Sequence, residues 1–259
     1  IHKILSFIMF RFLISFLTLI TALSCNKDNN VMVIGHRGAM GHIAENTIPS
    51  IERALELGVD GVEIDVFICK TGELVVFHDE KLDRLTNSSG FIESLELDSI
   101  KKLIVLDKYR IPTLEEVLEL IDGKVKLNIE LKGYGTASPT NNLINQYINN
   151  GKWTEDKFII SSFKWSELEE IRLLNNSIPI AALVNSNVNP LDALPFAKKI
   201  KAIAINPDFK DLNQENIQEI HSNGLKVFPY TINELDDIER MIKLGVDAII
   251  TDYPERVNK

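Results

Sequence analysis

Two strand-like runs carry acidic residues at alternate positions. In Gly61-Val62-Glu63-Ile64-Asp65-Val66, residues two apart share a face, so Glu63 and Asp65 point one way and Val62, Ile64 and Val66 the other. Lys126-Leu127-Asn128-Ile129-Glu130-Leu131-Lys132 repeats the pattern, with Asn128, Glu130 and Lys132 on one face. Carboxylates side by side on an otherwise buried strand repel one another unless a cation or protons neutralise them. Three acidic oxygen ligands with room for water suit Ca²⁺ or Mg²⁺. Glu63, Asp65 and Glu130 are therefore the expected ligands of one divalent cation, of either kind. The competing reading, strands with merely solvated polar faces, fits poorly because parallel barrel strands seldom have a solvated face.

Two histidines complete the chemistry. His36 lies in Gly35-His36-Arg37-Gly38, where flanking glycines let backbone approach a ligand closely. His78 ends the alternating run from Glu73 to Phe77 and is followed by Asp79. Near neutral pH two imidazoles can serve as a base for an attacking oxygen and an acid for a leaving one, and Arg37 offers a planar fork of donors for phosphate oxygens. A metal-held phosphodiester is the substrate such a set would handle.

These residues need strand ends that converge. From Val31 onward, short β-branched runs alternate with helical patterns, the signature of βα units and a parallel sheet. Strands are expected at Met32–Ile34, Gly61–Val66, Lys126–Leu131, Lys157–Ser161, Ile178–Leu183, Ala202–Ile205, Lys226–Pro229 and Ala248–Thr251. Eight such strands make an α/β (β/α)8 TIM barrel over residues 31–259, whose site lies at the strand C-terminal ends. Helices are expected from Asn46 or Thr47 through Leu57, from the capping box at Thr113 to Ile121, from Asn213 to Ser222, and from Asn233 to Leu244. An echo supports a ring of repeated units: Ile51-Glu52-Arg53 leads to Leu57-Gly58-Val59-Asp60, as Ile238-Glu239-Arg240 leads to Leu244-Gly245-Val246-Asp247. The stretch Phe67 to Ile111 exceeds a normal βα loop and predicts a small insertion after strand 2, a hairpin and a helix at the mouth.

Composition narrows the partners. A formal charge of −9 without a local basic cluster argues against a nucleic-acid groove and leaves a small molecule as the expected partner. Residues 1–25 read as a leader outside the fold. Ile4 to Ala22 is nearly all apolar and runs into Ala22-Leu23-Ser24-Cys25, with Met9 as the expected start. Cys25 resembles the lipidated cysteine of a bacterial lipobox, with Leu23 two residues before it rather than three, and 26–30 form a polar tether. A transmembrane anchor is the alternative. Either places the protein outside the cytoplasm, with lipidated Cys25 making a membrane tether on the periplasmic side or the cell surface.

The ordered motifs resemble the glycerophosphodiester phosphodiesterase family: His36-Arg37-Gly38, Glu45-Asn46-Thr47, Gly58 through Val66, Val75-Val76-Phe77-His78-Asp79, Asn128 through Lys132, and Gly245 through Pro254. The resemblance covers nearly everything after the leader. It implies metal-dependent hydrolysis of a glycerophosphodiester to glycerol 3-phosphate and an alcohol. His36 and His78 would be the acid/base pair and Glu63, Asp65 and Glu130 the ligands of Ca²⁺ or Mg²⁺. Arg37 and Lys132 would bind phosphate, Glu45 would orient the groups around them, and Tyr230 would contact the alcohol. Two positions depart from the family's habit: Ala44 where proline usually precedes Glu45, and Tyr230 where tryptophan is common.

Other residues are discounted. His42 reads as a solvated loop histidine and His221 as a helix C-terminal one. Cys69 lacks an activating neighbour, and Ser161, Ser162 and Phe163 face the site without an assigned task. Two rival functions are weighed: a phospholipase-type enzyme on intact lipid, and a surface lipoprotein that only binds. The first wants an apolar rim where Phe67 to Ile111 is largely polar, and the second would ordinarily have lost some of the reactive residues, which all stand here.

Overall fold

The computed structural model describes residues 31–257, so the expected leader and tether lie outside the described residues. Among the described residues nine strands occur: β1 (Met32–Gly35), β2 (Gly61–Ile68), β3 (Leu74–Val76), β4 (Lys126–Leu131), β5 (Phe158–Ser162), β6 (Ile180–Leu183), β7 (Ala204–Asn206), β8 (Lys226–Val227) and β9 (Ala248–Thr251). All but β3 run parallel, in the order β8-β7-β6-β5-β4-β2-β1-β9. The ring closes between β9 and β8, where Asp247 N donates to Val227 O at 3.0 Å and Ile250 N to Pro229 O at 3.2 Å. The eight-stranded TIM barrel is thus as expected.

Strand limits shift where proline or a cap intervenes. Lys157 ends a 3-10 turn instead of opening β5. Pro179, which has no N–H to donate, precedes β6, and β8 is short because Pro229 cannot donate to the ladder.

Connecting helices are α1 (Ile48–Glu56), α2 (Leu97–Ile100), α3 (Leu114–Ile121), α4 (Ala137–Asn149), α5 (Trp165–Leu174), α6 (Leu194–Lys199), α7 (Gln214–Ser222) and α8 (Leu235–Leu244). Thr47 caps α1, while Thr113 and Asn213 each form a capping box on α3 and α7. The helix expected from Asn233 starts later. Glu234 holds the cap position of α8 without a side-chain bond, because the Asn233 side chain is engaged elsewhere.

Alternation along the strands explains the core. Outward residues such as Val33, Val62, Ile64 and Ile129 are buried beneath the helices. Inward residues Ile34, Ile159, Ala181, Ala204, Phe228 and Ala248 fill the barrel floor. Toward the C-terminal ends the same inward face turns polar, so the site rests on an apolar plug. The insertion after β2 is the predicted hairpin, with β3 antiparallel to β2, plus the single turn α2. It has its own small core around Phe67, Phe77, Leu82, Ile92 and Ile100.

Candidate active site

The register of the strands brings the acidic residues together. Glu63 lies opposite Asn128 and Asp65 opposite Glu130 across the β2–β4 ladder. One oxygen from each of Glu63, Asp65 and Glu130 falls within 4.8 Å of the others, and all three side chains are nearly inaccessible. Burial, then the neighbouring Asp65 and Glu130 carboxylates, pushes the Glu63 carboxyl well above the usual range. Glu130 is raised to about 7 by burial and by Asp65, against the pull of Lys132. Burial acts the same way on Asp65, but Arg37, Lys132 and His78 with the Asn46 hydrogen bond outweigh it and hold the group low. Asp65 Oδ1 is buried without a hydrogen-bond partner. A cluster with two carboxyls pushed up and an unpartnered inner oxygen fits a hard divalent cation.

The turn after β1 is built around two left-handed residues. Arg37 has φ +50° and Asn46 φ +56°, costing about 1–3 kcal/mol each unless side-chain bonds hold them. Those bonds exist. Arg37 N donates to Glu63 Oε2 at 2.8 Å, and Asn46 Nδ2 donates to Asp65 Oδ2 at 2.8 Å. The Arg37 guanidinium reaches Glu45 Oε1 at 2.6 Å and lies 3.3 Å from Asp65 Oδ2. The expected helix-capping choice between Asn46 and Thr47 is resolved by this: Thr47 caps α1 and Asn46 steadies the Asp65 carboxylate.

His36 and His78 are each tied by Nδ1 to a carboxylate. His36 Nδ1 is 2.7 Å from Asp252 Oδ1, and His78 Nδ1 is 2.6 Å from Asp79 Oδ1. A carboxylate only accepts, so both rings carry the proton on Nδ1 and turn Nε2 toward the cavity. His36 Nε2 stands 4.0 Å from Glu63 Oε2. His78 Nε2 accepts from Lys132 Nζ at 3.2 Å, consistent with the same tautomer. Burial holds the His78 imidazole below its ordinary value, aided by Arg37 and Lys132. Lys132 in turn is 2.9 Å from Glu130 Oε1, and Glu130 with Asp65 keeps its ammonium charged despite burial.

His36, Arg37, Glu63, His78, Glu130 and Lys132 line one cavity of about 300 Å³ at the mouth. Tyr230 lines it too, but its OH donates to Val184 O at 2.6 Å, so it offers a ring face, set edge-on to Phe163. Ser161 and Phe163 face the cavity as expected. Ser162 does not: alternation turns it outward, where its hydroxyl donates to Leu131 O. Glu45 sits behind the cavity wall, holding Arg37. His42 is paired with Glu255 at 3.0 Å rather than merely solvated, and His221 pairs with Asp247 at 2.9 Å near the end of α7. Cys69 is buried and free.

Three contributors escaped the sequence reading. Asp252 orients His36, and Asn233 holds Asp252, donating from Nδ2 to Oδ2 at 2.7 Å and accepting from the Asp252 amide at 3.0 Å. Arg84 grips Glu45 and Asp79. The Thr251-Asp252-Tyr253-Pro254 stretch that closes β9 was a visible signal for Asp252, since a carboxylate at a barrel strand's C-terminal end points to the site. Nothing in the local pattern around Arg84 marks it.

Comparison with known proteins agrees with this geometry. Residues 36–256 match the family described as the glycerophosphoryl diester phosphodiesterase family. The chain is 39% identical over 237 residues to a glycerophosphodiester phosphodiesterase of Caldanaerobacter subterraneus subsp. tengcongensis, covering 86% of this chain and 95% of that one. It is 32% identical to a Bacillus subtilis enzyme of the same name, covering 90% and 87%. A phosphodiesterase from Oleispira antarctica, solved with its product sn-glycerol-3-phosphate, superposes with a TM-score of 0.79 at 28% identity, covering 88% and 95%.

Proposed function

The chain belongs to the glycerophosphoryl diester phosphodiesterase family, and from that membership we propose how its own residues hydrolyse a glycerophosphodiester to glycerol phosphate and an alcohol. The carrying observation is the pair of imidazoles, each fixed at Nδ1 by a carboxylate and lining one cavity with Glu63 and Glu130. One ring, neutral, takes the proton of the attacking hydroxyl on Nε2, while the other enters the step as the imidazolium and gives its Nε2 proton to the departing alcohol oxygen. Arg37 and Lys132 bind the phosphate oxygens, the first as a planar fork and the second as a point charge. Glu63, Asp65 and Glu130 hold one divalent cation, Ca²⁺ or Mg²⁺, which when bound neutralises charge on the phosphate. Tyr230 and Phe163 give the alcohol an aromatic wall.

The attacking hydroxyl is either water or the glycerol hydroxyl next to the ester, the latter giving a cyclic phosphate first. Cyclic glycerol phosphate accumulating in a slow His36 or His78 variant marks the second route, and its absence under slow turnover marks the first. The main test incubates purified protein with glycerophosphocholine, glycerophosphoethanolamine and glycerophosphoinositol, each with Ca²⁺, Mg²⁺ or EDTA, beside His36→Ala. Glycerol phosphate released only with metal, and lost in the variant, supports the reading. Intact substrates under every metal would sink it.

We also read Cys25 as lipidated and the enzyme as held outside the cytoplasm at a bacterial membrane. Residues 1–25 have leader composition and 26–30 that of a tether. Incorporation of labelled fatty acid that disappears in Cys25→Ser supports this. Equal labelling of both proteins refutes it.

A further inference from the structure

Arg84 lies in the insertion between β3 and α2, and its side chain is half exposed. Exposed ion pairs contribute little stability on their own. Its hydrogen bonds set it apart. Nε donates to Asp79 Oδ2 at 2.6 Å and Nη2 to Asp79 Oδ1 at 3.0 Å. Nη2 also donates to Glu45 Oε1 at 2.8 Å, and Nη1 to Glu45 Oε2 at 2.9 Å. The fork is thus committed to two carboxylates and is not open to a phosphate.

Each of those carboxylates holds a group that faces the cavity. Glu45 Oε1 accepts from Arg37 at 2.6 Å, and Asp79 Oδ1 accepts from His78 Nδ1 at 2.6 Å. Glu45 belongs to the turn after β1 and Asp79 to the segment after β3, which no shared backbone ladder joins at this point. We propose that Arg84 is a positioning residue that yokes Glu45 to Asp79, setting Arg37 and His78 in register and fixing His78 with its proton on Nδ1. The inference rests on the acid/base reading of His78 given above. A planar guanidinium spans two carboxylates with paired bonds, whereas a lysine ammonium at the same place reaches as a single point.

The test combines kinetics with NMR on the purified full-length protein. Arg84→Ala is expected to lower kcat about 10- to 100-fold, the usual cost of losing a group that orients a reactive one, with KM little changed. Arg84→Lys, which keeps the charge and guards against a folding failure, is expected to recover only part of it. Because Arg84 acts in part through His78 and in part through Arg37, adding Arg84→Ala to His78→Ala is expected to cost clearly less than Arg84→Ala alone. A merely structural arginine would subtract its full loss in both backgrounds. With ¹⁵N-labelled histidine above the imidazole's titration range, wild-type His78 is expected to show the Nδ1-protonated tautomer, and Arg84→Ala and Arg84→Lys to lose that preference. This readout needs no turnover, so it separates failure of the yoke from failure of the proposed reaction. An additive cycle, or a His78 tautomer that both variants leave as in wild type, overturns the proposal.

Discussion

At the scale of single residues, the two glutamates nearest Arg37 behave oppositely. The fold raises the Glu63 carboxyl through burial and through Asp65 and Glu130, so it favours the neutral form. Glu45 is held low: the hydrogen bonds and charges of Arg84 and Arg37 overcome burial, so the fold favours the carboxylate. Glutamine mimics the neutral form. In EDTA, Glu63→Gln is therefore expected to leave the thermal midpoint unchanged or higher, while Glu45→Gln lowers stability by about 3 kcal/mol, as when one partner of a buried pair is removed. Thermal unfolding of both variants checks this, and equal losses would refute it. Adding Ca²⁺ or Mg²⁺ should stabilise the wild type but hardly affect Glu63→Gln. Asp252 carries a separate expectation. Losing the acceptor for His36 Nδ1–H, as in Asp252→Ala, is expected to reduce kcat about 10- to 100-fold, with cation affinity by calorimetry unchanged.

At the scale of elements, the turn from β1 to α1 is the tightest constraint on the site. Gly38 has φ +87°, and a Cβ there would lie 2.6 Å from the Ser50 carbonyl carbon and 2.7 Å from its oxygen. Gly58, which ends α1, also has positive φ, +75°, but a Cβ there would meet nothing within 4 Å. Gly58→Ala is expected to cost about 1 kcal/mol from conformation alone. Gly38→Ala must in addition push the first turn of α1 away from Arg37, and is expected to cost more and to impair turnover. Comparing urea midpoints and kcat of the two variants decides it. The elements themselves were largely legible. Alternation in 61–66 and 126–131 gave both the strands and the inward carboxylates, because a residue's face on a strand is fixed by its neighbours. What stayed hidden depends on distant closure. His36 and Asp252 are 216 positions apart, and Asn233, which has the composition of a helix cap, is taken by Asp252 instead. Arg84 sits in an irregular segment where no period constrains direction.

At the scale of the whole molecule, the buried acidic triad links metal, protons and stability. Glu130, raised to about 7, binds a proton in the folded protein that the unfolded chain releases near the ordinary carboxylate value. Its contribution is thus fully present below about pH 4.5 and is lost as pH rises through about 7. Glu63, also raised, acts in the same direction. Asp79, held at about 2 by Arg84, has the opposite sign: its contribution is present above the ordinary aspartate value and is lost only in strong acid. Between about pH 5 and 7 the raised pair dominates this contrast. The metal-free protein is therefore expected to show stability contributed by the triad declining across that window, an effect absent from a Glu63→Gln/Glu130→Gln variant. Saturating cation requires the deprotonated ligands, so its stabilisation should grow with pH over the same range and its binding should release protons. Thermal scans with EDTA and with cation, and calorimetry in buffers of different ionisation heat, test both. A slope unchanged in the double variant, or proton-neutral binding, would count against the triad as the metal site.

The direction of β1 has a consequence for attachment. The chain enters the barrel at Val31, and four strand residues later it delivers His36 to the mouth. Residue 31 and the cavity therefore occupy opposite poles of the wall, while the last described residues, after β9, lie on the cavity's side. A bead or fusion partner coupled directly at residue 31 is therefore expected to sit at the pole away from the opening that small polar diesters must enter. The same load placed after Val257 is expected on the opening's own side.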